Sequence, residues 1–359
     1  MSKSNEPQKP IRAGITHGDI NGIGYEIIIK TLSEPYMLDF CIPIVYGTSK
    51  VASYHKKTMG NIEFNFNLVK KAENAVPHRT NIVNVTYDDV KVELGKSTQI
   101  AGELAYLALE NAVEDLKTDQ IDLLVTAPIN KKNIQSAEFK FSGHTEYLAS
   151  RFDSPNYMML MISNKLKIGL VTEHLALSDV ASHITTELMI NRLNIFNASL
   201  VMDFGISKPR IAVLGLNPHS GDDGFIGNEE KNIISPVINQ LKDEGMLVYG
   251  PYPSDGFFGS NEWTKFDGIL AMYHDQGLIP FKCLSFNDGV NFTAGLPIIR
   301  TSPVHGTAYD IAGKNMASPD SFRNAVFLAI DIFKNRRMFA ELNSNPLKFA
   351  DKEKDKGEN

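Results

Sequence analysis

Short apolar runs recur along the chain, each closing on a cluster of polar residues. Ile11–Thr16, Cys41–Tyr46, Ile121–Thr126, Tyr157–Ile162, Lys167–Thr172, Arg210–Leu216, Leu247–Gly250 and Gly268–Tyr273 read as strands, and the most continuous of them have the pattern of buried parallel strands. Between them, apolar positions three and four apart predict helices. Leu104, Leu107, Leu109, Ala112 and Val113 mark one over 101–116, Leu188, Ile190, Leu193, Ile195 and Phe196 one over 185–200, and Phe322, Ala325, Leu328, Ala329 and Ile332 one over 321–333. Further helices are expected at Ile27–Leu32, from Thr48, and up to about Leu241. Residues 60–95 mix β-like pieces, Ile62–Phe66 and Thr80–Val85, with charged turns, and predict a peripheral subsheet. The chain is α/β, and its 359 residues leave room for two lobes or one elaborated domain.

Three of the runs deliver a histidine just past their carboxyl ends: His174 after 167–172, His219 after 210–216, and His274 after 268–273. Open α/β sheets bind ligands outside those ends, and three neutral imidazoles with an open fourth position make a catalytic divalent-metal site. A capping or loop-bonding role explains any one of them alone; the shared placement of all three favours the metal. Ser142-Gly-His144-Thr145-Glu146 stands at a loop-to-helix boundary, where Ser142 or Thr145 would cap the helix. In the first turn, Gly18, Gly22 and Gly24 either let backbone amides approach an anion or serve a tight packed turn; their spacing is not that of a dinucleotide fingerprint. Asp222, Asp223, Glu229 and Glu230 are expected to favour a helix start rather than to bind metal, and His183 to be structural.

A net charge of −6 and a pI near 5.9 argue against a nucleic-acid surface, so an anionic substrate needs a local basic pocket. Two cysteines, Cys41 and Cys283, stand far apart, which suits a reduced, cytoplasmic protein; Cys283 beside Lys282 is expected to be a small buried filler. The polar start MSKSNEPQKP has no apolar leader segment, and no run approaches the roughly 18 apolar residues of a membrane span. Residues 1–10 and 351–359 are expected to fray.

The blocks TEHLALSDV, NPHSGDDGFIGNEE, YHDQGLIPFK and NFTAGLPIIRTSPVHGTAYDIAG, with GDINGIGYE, TAPINKKNIQ and FSGHTEYLA upstream, resemble the 4-hydroxythreonine-4-phosphate dehydrogenases from about Ile11 to about Ala329. The first loop departs from that pattern: Ile20 and Tyr25 stand where the family usually has proline, and His17 replaces a non-histidine. The resemblance implies a two-lobed α/β/α fold like that of isocitrate and isopropylmalate dehydrogenases. Its lobes would interleave within one unit spanning 1–359, with the active site in the cleft between them and a homodimer interface contributing to it.

The same resemblance implies one divalent metal (zinc, cobalt or magnesium) on His174, His219 and His274, and substrate contacts from His144, Thr145, Lys282, Asn291 and Arg300. Asp255 is placed in the active site, and Asp255 and Lys282 are the candidate proton carriers. His305, Gly306, Thr307, Ala308 and Asp310 resemble an adenosine-side loop and imply NAD or NADP; Asp310 could bond a ribose. The implied reaction oxidises 4-phosphooxy-L-threonine to 2-amino-3-oxo-4-(phosphooxy)butanoate, which decarboxylates to 3-amino-2-oxopropyl phosphate in pyridoxal phosphate biosynthesis. D-Threonate or D-erythronate 4-phosphate is the alternative substrate. A phosphate acyltransferase of the same general fold is a third reading, and would have no use for three strand-end histidines.

Overall fold

Twelve strands share one sheet in the computed structural model, which describes residues 9–60 and 62–345. In chain order they are β1 (Arg12–Thr16), β2 (Ile42–Gly47), β3 (Asn67–Val69), β4 (Asn81–Asn84), β5 (Leu123–Thr126), β6 (Met158–Ile162), β7 (Lys167–Leu170), β8 (Ile211–Leu214), β9 (Val248–Tyr252), β10 (Gly268–Ala271), β11 (Val290–Ala294) and β12 (Arg300–Pro303). Every expected apolar run becomes a strand, its ends moved by a residue or two. The sheet order is β3-β4-β2-β1-β5-β12-β11-β6-β7-β10-β8-β9. The first six strands are mutually parallel, as are the last four. β11 is antiparallel to both neighbours and β6 is antiparallel to β7, so the two parallel blocks run in opposite directions. The chain builds most of the first block, crosses to the second, and returns through β12.

Two expectations need correcting. Ile62–Phe66 is not a strand, and β3 with β4 extends the main sheet rather than forming a subsheet. The strands β11 and β12 lie in a stretch whose polar residues hid their alternation. Val290, Phe292 and Ala294 enter the core, and Asn291 and Thr293 face the other way. The frayed ends expected over 1–10 and 351–359 lie outside the described residues, residues 9 and 10 excepted. Among the described residues no helix is long and apolar enough to cross a membrane.

The two faces of the sheet are covered differently. On one, the helices Gly24–Leu32, Thr186–Met202, Ser235–Asp243 and Asp320–Asn343 pack into a single core running from Ile15 and Val45 through Phe292 to Val213 and Val248. On the other, Gln99–Lys117 and His144–Arg151 bury Leu109, Val113 and Leu148 against β2 and β5, while His274–Ser285 buries Leu278 and Phe281 against β7 and β10. Those two cores are separate. The gap between them exposes the middle of the sheet, where β12, β11 and β6 present Arg300, Ser302, Asn291, Met159 and Met161. One continuous core holds the molecule together, and the split one opens a cleft.

Candidate active site

The cleft has a volume of about 300 Å³ and is cationic at one end. Arg300, buried, points its guanidinium at hydroxyls: Nε and Nη2 donate to Thr126 Oγ1 at 3.0 and 2.8 Å, and Nη1 to Thr293 Oγ1 at 3.5 Å. Among the described residues no carboxylate pairs with it, and burial pulls its pKa from the ordinary 12.5 down to about 10. His144, also buried, has an unpartnered Nε2, and burial, then Arg300, then Lys131, keep it neutral well below the usual histidine range. Helix His144–Arg151 starts here with its first-turn amides free. Neither Ser142 nor Thr145 caps it: Gly143 holds the cap position, and Thr145 Oγ1 lies 3.5 Å from Thr293 Oγ1. Unpaired donors and a bare cation in one pocket are built for an anion.

Asn291 adds a buried Oδ1 with no partner, and Lys282 also lines the cleft, two turns along the helix that His274 begins. Its neighbour Cys283 is exposed rather than a buried filler. His305 and Gly306 close one side; Nδ1 of His305 lies 3.2 Å from the Gly306 carbonyl, leaving Nε2 unpartnered. Thr307, Ala308 and Asp310 continue that loop outside the cleft lining, Asp310 exposed.

The histidines are only partly gathered. β7, β10 and β8 are consecutive in the sheet, so His174, His274 and His219 do leave neighbouring parallel strands. His174 and His274 line the cleft with ring centroids 6.1 Å apart, and His274 Nδ1 lies 2.7 Å from Asp275 Oδ1, which frees Nε2 toward a ligand. His219 is exposed and does not line this cleft, and among the described residues no group of three His, Cys, Asp or Glu is placed to hold a metal ion. Asp255 is likewise exposed and outside the cleft, in the short helix Ser254–Gly259 after β9.

The loop carrying His219 is held under strain. Residues 219–223 all have positive φ, four of them non-glycine, at a cost of about 1 kcal/mol or more each. Two of the four acids expected to favour a helix start, Glu229 and Glu230, secure it. Buried Glu230 accepts from the Asn217 backbone N–H at 2.7 Å and its side-chain amide at 2.9 Å, and Glu229 accepts from that amide at 2.7 Å. Gln276 stitches the strand ends together: its Nε2 donates to the Gly215 carbonyl at 2.6 Å and to Ser254 Oγ at 2.7 Å, while Oε1 accepts from Met272 N–H at 2.6 Å. One side chain therefore ties His274, the approach to His219 and the helix of Asp255. His183 is exposed at the end of its helix, Nδ1 lying 2.7 Å from the Asp179 carbonyl.

The first loop is closely packed. A side chain at Gly18 (φ 69°) would lie 2.2 Å from the Pro128 carbonyl, and one at Gly22 2.7 Å from that of Thr307. Buried Asp19 accepts from Tyr309 Oη at 2.7 Å and Asn133 Nδ2 at 2.8 Å, and Ile23 N–H donates to the Thr307 carbonyl at 3.1 Å. The loop thus braces residues 305–313. Its departures from the family pattern are coupled: His17 stacks on Tyr25 (5.2 Å, 9°), Tyr25 packs on His55, and His55 Nε2 bonds the Ile20 carbonyl at 2.7 Å.

Thr126, Glu173 and Gln276 had no role assigned from sequence. Each is a polar residue ending or following an apolar run, the same signal that singled out the histidines.

Comparison with known proteins decides the family. The model of the pyridoxal phosphate biosynthetic protein PdxA matches residues 39–329. The chain belongs to the 4-hydroxythreonine-4-phosphate dehydrogenase (PdxA) family. It is 53% identical to the 4-hydroxythreonine-4-phosphate dehydrogenase of Bacteroides thetaiotaomicron over 95% of this chain and 94% of that one, and 39% identical to that of Aquifex aeolicus over 89% and 98%. The crystal structure of the Klebsiella pneumoniae enzyme superposes with a TM-score of 0.78 at 32% identity, covering 90% of this chain and all of that one. A terephthalate dihydrodiol dehydrogenase from Burkholderia xenovorans shares the fold (TM-score 0.60, 24% identity, 90% and 98% covered). The PdxA fold is that of the isocitrate and isopropylmalate dehydrogenases, and the family places this oxidoreductase in pyridoxal phosphate biosynthesis.

Proposed function

We propose that the cleft oxidises the C3 hydroxyl of 4-phosphooxy-L-threonine with NAD or NADP, aided by one divalent metal, and that the resulting 3-keto acid loses its carboxylate as carbon dioxide to give 3-amino-2-oxopropyl phosphate. The observation that carries this is the pairing of an anion pocket around Arg300 with two strand-end histidines in one cleft. The two imidazoles in the cleft, one of them backed by a carboxylate, are donors of the kind that suits zinc or cobalt better than magnesium, and a third donor would have to join them. When bound, a divalent ion lowers the pKa of the hydroxyl and polarises the ketone, and the nicotinamide takes the hydride.

The chain's own residues do the rest. Arg300, His144 and Thr145 bind the phosphate or carboxylate, Asn291 orients the substrate, and Lys282 on the cleft wall moves the proton, with Asp255 the alternative. His174 and His274 hold the metal with His219. His305, Gly306, Thr307, Ala308 and Asp310 bind the adenosine side of the cofactor, braced by Asp19. Because His219 and Asp255 lie outside this cleft, a homodimer is the arrangement we favour, a second copy supplying them. Exposed apolar residues beside the histidines, Leu177 (73%), Phe225 (88%) and Ile279 (61%), suit a covered surface. The enzyme would act in the cytoplasm.

NADH or NADPH formation with 4-phosphooxy-L-threonine, and a product lighter by carbon dioxide, test the reaction. Turnover of 4-phospho-D-threonate or -D-erythronate alone would transfer the site to that activity. Mixing inactive His219→Ala and His274→Ala proteins tests the shared site: about a quarter of wild-type activity should return if heterodimers form at random, and none if all ligands come from one chain.

A further inference from the structure

Arg300 has its closest hydrogen-bond partner on the neighbouring strand. β12 lies parallel to β5, with Arg300 opposite Leu124. Thr126, two residues further along β5, projects from the same face as Leu124. It ends that strand, lines the cleft and is fully buried. Its Oγ1 accepts from Arg300 Nε at 3.0 Å and from Nη2 at 2.8 Å, so one hydroxyl occupies the whole side edge of the guanidinium. The planar group carries its N–H donors in a fixed fork, and what that edge leaves over is the end fork, Nη1 with the outer N–H of Nη2. Thr293 Oγ1 approaches Nη1 only to 3.5 Å, and Glu146 favours the charge without forming an ion pair with it. A carboxylate at position 126 would hold the same edge but cancel the charge, whereas a hydroxyl holds it and leaves the charge in place.

We propose that Thr126 is a positioning residue: it fixes the Arg300 guanidinium by its side edge, so that the uncommitted end fork is presented to the cleft and grips an anionic end of the substrate with two parallel bonds. This rests on the reading above, in which Arg300 meets the substrate's phosphate or carboxylate; the fork matches a pair of oxygens on either group. A guanidinium with its side edge free would turn about its last torsions. Every orientation other than the binding one would then lower the apparent affinity in proportion to its population. The Thr126 hydroxyl removes those alternatives before the ligand arrives, and acts on the substrate only through Arg300.

The test is a double-mutant cycle on the full-length enzyme. It measures kcat and KM for 4-phosphooxy-L-threonine in wild type, Thr126→Val, Thr126→Ser, Arg300→Met and the Thr126→Val, Arg300→Met double variant, and the melting point of each with and without inorganic phosphate. Valine keeps the shape and removes the acceptor. It should raise KM by about 10- to 100-fold with little change in kcat, and shrink the rise in melting point that phosphate gives; serine, which restores the acceptor, should recover both to within about threefold. In the Arg300→Met background the same valine should change nothing further, because no guanidinium is left to position. Thr126→Ala carries the same prediction should valine unfold the strand. Wild-type kinetics in Thr126→Val, serine no better than valine, or an equal loss with and without Arg300 would each overturn the assignment. A wild type indifferent to phosphate, together with undiminished kcat/KM in Arg300→Met, would instead overturn the anion reading of the pocket, and this assignment with it.

Discussion

Replacing Arg300 by methionine should separate stability from function. The guanidinium is buried, touches only hydroxyls and has no carboxylate partner among the described residues. A pKa drawn down from 12.5 to about 10 means that its surroundings disfavour the charge by about 3 kcal/mol. Methionine relieves that cost and forfeits the bonds to Thr126, about 1 kcal/mol. The ligand-free variant should therefore melt no lower than wild type, and by up to a few degrees higher. Catalysis should move the other way, because removing the charged donors from a bound phosphate costs about 3–4 kcal/mol, or a 10²- to 10³-fold loss in kcat/KM. Scanning fluorimetry with and without inorganic phosphate, alongside kinetics, reads both quantities, and phosphate should raise the melting point of wild type alone. A variant that melts many degrees lower yet keeps kcat/KM within about tenfold would refute the reasoning.

The buried His17 and His55 predict a second effect. Burial pulls each down to about 4, so the folded protein holds them neutral while the unfolded chain protonates near 6.5. Stability is then full above pH 6.5 and lost as pH falls toward 4, by about 3 kcal/mol per histidine. Urea titrations across that range should show the slope, and His17→Phe, which keeps the stack on Tyr25, should reduce it; an unchanged slope would show that other groups govern the acid limb. Gln276→Ala removes three bonds between the histidine-bearing strand ends and should weaken metal binding by roughly 10- to 100-fold, measurable by titration calorimetry without substrate, whereas unaltered affinity would leave Gln276 a purely local support.

The parallel strands were legible because burial on both faces leaves them continuously apolar, as in Leu123–Thr126 and Ile211–Leu214. β11 and β12 were not, since one of their faces lines the cleft and carries Asn291, Thr293, Arg300 and Ser302. The same mixture of core and chemistry that marked the stretch as functional concealed its secondary structure. Leu107 fell on the predicted apolar face of its helix yet is 37% exposed, because periodicity locates a stripe but not its edge. Arg300 and Asn291 were legible as anion partners by residue type and His144 only through the family resemblance, and the cleft gathers all three with His174 and His274. Glu173 and Gln276 are ordinary polar residues in the chain; only the register of β6 with β7 and the adjacency of β8, β9 and β10 give them partners. His219 and Asp255 share another limit: a single chain leaves both outside the cleft.

The most direct test is to strip the protein with a chelator, then follow NADH or NADPH formation from 4-phosphooxy-L-threonine as zinc or cobalt is titrated back. Activity absent after stripping, restored at about one metal per site in wild type and not in His174→Ala, is the result expected of the histidine cleft. Full turnover by the stripped protein, or by the variant, would contradict it.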